Sequence, residues 1–105
     1  MGFYWIEAIV ISKDCNDYRV EKLTTYEAQN NLYDCVKVLK TWSEDYGILY
    51  ASVYEIKTPT EYKISEKLSF LTIGIDISKE SARKDLFRSN AEQIRILLEK
   101  YKEEK

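Results

Sequence analysis

The chain has 105 residues, 45% of them hydrophobic and 32% charged, with three glycines, one proline and a formal net charge of −2. A chain of this length fits one domain, and it buries enough surface to hold a core without metal or disulfide help. Its nine tyrosines, three phenylalanines and two tryptophans, with charges of both signs nearly balanced, exclude a disordered chain, a polybasic phosphate binder and an acidic DNA mimic.

Residues 3–12 are rich in β-branched and aromatic types and predict a strand. Lys13 to Asp17 carry turn chemistry, because Asp and Asn side chains hydrogen-bond locally. Residues 18–23 alternate and complete a hairpin. Thr24 followed by Glu27 matches a capping box, which starts a helix over about 25–46. Ala28, Leu32, Cys35, Val36, Leu39, Trp42 and Tyr46 form its apolar stripe, and Gly47 suits a left-handed position just past its end.

Residues 48–57 predict a strand. Around Pro59 two readings stay open: a short helix capped by Thr58, or a hairpin arm over residues 61–65. Residues 68–77 predict a further strand. Asp76 and Ser78 stand at the start of a last helix over about 79–103, with Ala82, Leu86, Phe87, Asn90, Ile94, Leu97, Leu98 and Tyr101 on one stripe. The expected architecture is a single α+β domain over residues 1–105. It has a three- to four-stranded, mainly antiparallel sheet with both helices packed on one face. A ferredoxin-like arrangement would need one more strand after the last helix.

The chain contains no histidine, which removes His-based acid–base pairs, His-activated nucleophiles and the commonest zinc ligand. Gly2, Gly47 and Gly74 cannot form a phosphate-cradling loop. Asp14, Asn16 and Asp17 lack the glycine and distal Glu of a calcium loop. Cys15 and Cys35 fit no paired-cysteine pattern and read as reduced thiols. No catalytic residue, metal or cofactor is implied.

Glu7 and Glu55 draw attention because each interrupts an apolar strand. Buried together they would suit carboxylate chemistry, the basis of an enzyme reading; on a solvated face, or beside a lysine, they are ordinary.

The start of the chain lacks a basic region and Glu7 breaks its apolar run, so it does not read as a signal peptide. Ile6 stands where a myristoylation pattern needs Ser or Thr. No apolar run approaches the roughly 18–20 residues of a membrane span, and a cytoplasmic location is expected.

Strand alternation divides the sheet. Tyr4, Ile6, Ala8 and Val10 go with Leu49, Ala51 and Val53 toward the helices. On the other face alternation places Phe3, Trp5, Tyr50, Tyr54 and Phe70, together with Ile48 and beside Glu7, Ser52 and Thr72. Two helices cannot cover both faces, and an uncovered aromatic face marks an interface.

The expected function is therefore non-enzymatic protein binding, through a heterologous partner or a homodimer. The Lys-, Glu-, Ile-, Asn- and Tyr-rich composition has the flavour of short phage- or plasmid-type accessory proteins that inhibit a host complex. Single-stranded nucleic-acid binding is the alternative. It would use the aromatics for stacking and Lys79, Arg83, Lys84, Arg88 and Arg95 for charge, but these are interleaved with Glu80, Asp85, Glu92 and Glu99.

Overall fold

The alternating and aromatic-rich segments form strands and the period-3.6 segments form helices. In chain order these are β1 (Phe3–Ser12), β2 (Val20–Thr24), α1 (Leu32–Asp45), β3 (Tyr46–Ile56), β4 (Ile64–Leu71) and α2 (Glu80–Tyr101). The computed structural model describes residues 3–13, 19–25, 31–56, 64–71 and 76–102; for Phe3, Ile56 and residues 64–71 only the backbone is described. The turn at Asp14–Asp17, the Thr58–Glu61 segment and Thr72 lie outside the described residues. Ile64 and Ser65 belong to β4, as in the hairpin-arm reading.

The sheet is four-stranded and antiparallel, in the order β2-β1-β3-β4. The unit β2–α1–β3 is thus a split crossover, with β1 filling the gap between its two strands.

Ile6, Ala8 and Val10 from β1 lie opposite Val53, Ala51 and Ile48 from β3. All six are buried with Cys35, Val36 and Leu39 of α1 and Ile94 of α2 in one core. α1 and the C-terminal half of α2 therefore lie on this face, as the alternation of β1 predicts, while Leu86 and Phe87 in the N-terminal half of α2 approach Gly47, opposite the fully buried Ile11 on the other half of the alternation.

Ile48 departs from its expected place. Ile9 pairs with Tyr50 and Val10 with Ile48, so Leu49 is an extra residue in β3. An inserted residue shifts the alternation by one, and Ile48 enters the core at 0% exposure.

The start of α1 also differs from the capping-box expectation. Thr24 ends β2 opposite Glu7. Thr25 donates its N–H to the Ile6 carbonyl at 3.1 Å, and its hydroxyl oxygen accepts the Ile6 N–H at 3.0 Å. That hydroxyl thus continues the ladder where the chain turns away. Asn31 caps the helix instead, its Oδ1 accepting the Asp34 N–H at 2.8 Å.

At the other end, α1 runs directly into β3. Its C-cap, Tyr46, is extended (φ −134°, ψ 150°), and Gly47 is a strand residue opposite Ile11. Glycine is required there by space: a Cβ would lie 2.6 Å from Phe87 Cε1 and 2.9 Å from Leu86 Cδ2. The left-handed helix end read from the sequence is replaced by a close helix–strand approach.

Helix α2 buries Leu86, Asn90 and Ile94, three members of its predicted stripe. Its outer surface carries the pairs Lys84–Glu80, Arg88–Asp85 and Arg95–Glu92. Arg83 donates to the Ile77 carbonyl at 2.7 Å. No helix among the described residues is long and apolar enough to cross a membrane.

Candidate interaction surface

The second sheet face is built from the other half of the alternation. Across the central pair, Trp5 stands opposite Tyr54, Glu7 opposite Ser52, and Ile9 opposite Tyr50. β2 extends two of these rows, with Thr24 opposite Glu7 and Lys22 opposite Ile9. Phe3 stands in the same row set, opposite Ile56.

The Trp5 and Tyr54 rings approach to 5.5 Å between centroids at a tilt of 32°. This is within the range of favourable aromatic pairs, whose quadrupoles disfavour direct stacking. Trp5, Ile9, Tyr50 and Tyr54 are all half-buried. Cross-strand and diagonal neighbours shield side chains on the central strands, and these four keep part of their surface exposed.

Ser52 is fully buried between these larger neighbours and donates its hydroxyl to Tyr50 Oη, two residues along the same strand. The contact ties the Tyr50 ring tip to the polar middle of the face.

Phe70 does not join this set. The register sets Phe70 opposite Ala51, a core-row residue, and Leu71 opposite Tyr50. Alternation within one strand sets no phase relative to its neighbour, and the β3–β4 pairing skips a residue between Val53 and Tyr54.

The two carboxylates singled out in the sequence do not form a pair. Glu7 lies in the Trp5–Ile9 row set, whereas Glu55 stands opposite Tyr4 in the row set of Ile6 and Val53. Glu7 makes an ion pair of 3.8 Å with Lys22, and its side chain is 38% exposed. Glu7 and Glu55 therefore do not share a site.

Among the described residues no group of three His, Cys, Asp or Glu side chains is placed to hold a metal ion. Cys35 is buried in the core. A groove of about 280 Å³ runs between the helices, lined by Lys40, Glu44, Ala91, Ile94, Arg95 and Leu98. Ala91, Ile94 and Leu98 give it an apolar lining and Lys40, Glu44 and Arg95 a charged one; Ser43, which also lines it, donates its hydroxyl to the Lys40 carbonyl at 2.6 Å.

Comparison with protein-family models, curated proteins and solved structures found no match to this chain.

Proposed function

We propose that this chain is a non-enzymatic protein-binding domain whose contact surface is the sheet face carrying Trp5, Tyr50 and Tyr54. The observation that carries the reading is the Trp5–Tyr54 pair, at 5.5 Å, on the face opposite α1 and the C-terminal half of α2. Tyrosine and tryptophan bring large contact area at low entropy cost, and they concentrate in the energetic centres of interfaces. The domain acts by occupying a partner's surface.

Two details favour protein over nucleic acid as the occupant. The cation described on this face, Lys22, is already opposed by Glu7. On α2, Lys84, Arg88 and Arg95 are each opposed by a carboxylate one turn away. A surface balanced in this way gains little from releasing phosphate counterions.

The test is site-specific photocrosslinking in the cells that make the protein. A photoreactive phenylalanine replaces Tyr54 in one variant, and Lys40 or Glu92 on the helices in two others. Discrete protein adducts from position 54 that are absent from the helix positions are expected. Adducts from the helix positions alone, or none from position 54, would overturn the reading.

A further inference from the structure

We infer that the partner on this face is a second copy of the chain, docked sheet to sheet about a two-fold axis that runs parallel to the strands between β1 and β3. The inference rests on the protein-binding reading of the same face and adds the identity of the occupant.

The pattern of the face carries it. Along the central strands the rows run apolar, polar, apolar: Trp5 with Tyr54, Glu7 with Ser52, Ile9 with Tyr50. An axis between β1 and β3 sets each residue against the cross-strand neighbour of its own row in the other copy. Trp5 then meets Tyr54 of the second copy, Ile9 meets Tyr50, and Glu7 meets Ser52. Aromatic rows face aromatic rows, and no like charges are brought together. A two-fold interface must be self-complementary in this sense.

The alternative two-fold axis, perpendicular to the strands, sets Glu7 against Glu7 and is disfavoured. Packed sheets stand about 10 Å apart with strands aligned to within about 30°, which either axis satisfies, so the placement of Glu7 decides between them.

Area and charge agree. With strand spacing of about 4.8 Å and a rise of about 3.3 Å per residue, the sheet presents roughly 500 Å² in projection. Two copies then bury about 1,000 Å², the level at which specific interfaces begin. Glu7 is paired with Lys22 on this face, and the register adds Glu66 at its β4 edge, opposite Tyr54; the axis between β1 and β3 sets neither carboxylate against another.

Sedimentation equilibrium of the intact chain, from about 1 to 200 µM, tests the inference. A reversible monomer–dimer equilibrium is expected in wild type. Tyr54→Lys, which places a cation against Trp5 of the second copy, should weaken it by roughly 30-fold or more. Ala91→Arg, in the groove between the helices, should leave it unchanged.

Should Tyr54→Lys fail to fold, dilution of a Trp42→Phe protein serves instead. That variant retains Trp5 as its one tryptophan, and Trp5 emission should shift to the red as the dimer dissociates. A wild-type chain that stays monomeric throughout overturns the second copy but not the protein-binding reading, which photocrosslinking decides separately. A dimer that resists Tyr54→Lys, yields to Ala91→Arg, or dissociates without a change in Trp5 emission uses another surface and overturns the inference.

Discussion

The side chain of Asn90 on α2 holds both backbone polar groups of Ile48 on β3. Its Oδ1 accepts the Ile48 N–H at 2.8 Å, and its Nδ2 donates to the Ile48 carbonyl at 3.0 Å, with Asn90 1% exposed. Among the described residues β4 pairs along β3 as far as Tyr50. Beyond that point the amide of Asn90 does the work of a strand, satisfying a donor and an acceptor that have no access to water.

Asn90→Leu keeps the volume and removes both bonds. Each buried backbone group left unpaired costs about 1–3 kcal/mol, so a loss of roughly 2–5 kcal/mol in urea unfolding is expected. A loss below about 0.5 kcal/mol would show that the Ile48 groups find other partners.

The division of labour between Thr25 and Asn31 is separable by mutation. Thr25→Val deletes the acceptor for the Ile6 N–H and should cost about 1–2 kcal/mol. Asn31→Ala removes the α1 cap and should cost about 1 kcal/mol. Thr24→Ala, if Thr24 were the cap, would cost as much as Asn31→Ala; the structure predicts that its effect on helix content by circular dichroism is small.

Gly47→Ala should destabilise the protein by about 1–3 kcal/mol, because the new methyl group collides with Phe87 and the fully buried Leu86. Phe87→Leu trims the nearer atom. A double-mutant cycle should then return a coupling energy that partly rescues Gly47→Ala. Strict additivity would refute the contact.

Trp5 and Tyr54 should couple in the monomer by about 0.5–1.5 kcal/mol. The cycle Trp5→Ala, Tyr54→Ala and the double variant measures this by chemical denaturation, at a concentration where no dimer is present. A coupling of zero would mean that the rings are neighbours without mutual attraction.

Asp76 has its carboxyl held below the ordinary aspartate value by the side-chain and then the backbone hydrogen bond from Ser78. A depressed folded-state value adds stability above the unfolded aspartate value, and the contribution fades as pH falls through the folded one. Asp76 is fully exposed, so its own titration is the better readout. Carboxyl NMR should show a midpoint below that of a free aspartate, and Ser78→Ala should raise it.

Much of the architecture is legible in the chain. The four strands and two helices follow from periodicity, and the β1 alternation of Ile6, Ala8 and Val10 identifies the core face before any partner strand is known. Trp5 and Tyr54 are likewise placed together by counting in twos from either strand. Counting fails at Ile48 because Leu49 adds a residue to β3, and at Phe70 because register with a neighbour is not contained in a strand's own pattern. The cap fails for a related reason: Thr24 and Asn31 both have cap chemistry, and the hydrogen bonds between Thr25 and Ile6, 19 residues apart, decide between them.

The residue types alone thus determine the α+β class, the amphipathic stripes and the absence of histidine- and glycine-loop chemistry, because these depend on local periodicity and composition. The tertiary structure alone decides that Glu7 meets Lys22, that Gly47 serves close packing, and that Asn90 completes the ladder at Ile48. Each of these depends on groups brought together from distant parts of the chain, where register, bulges and helix placement set the distances that local pattern leaves open.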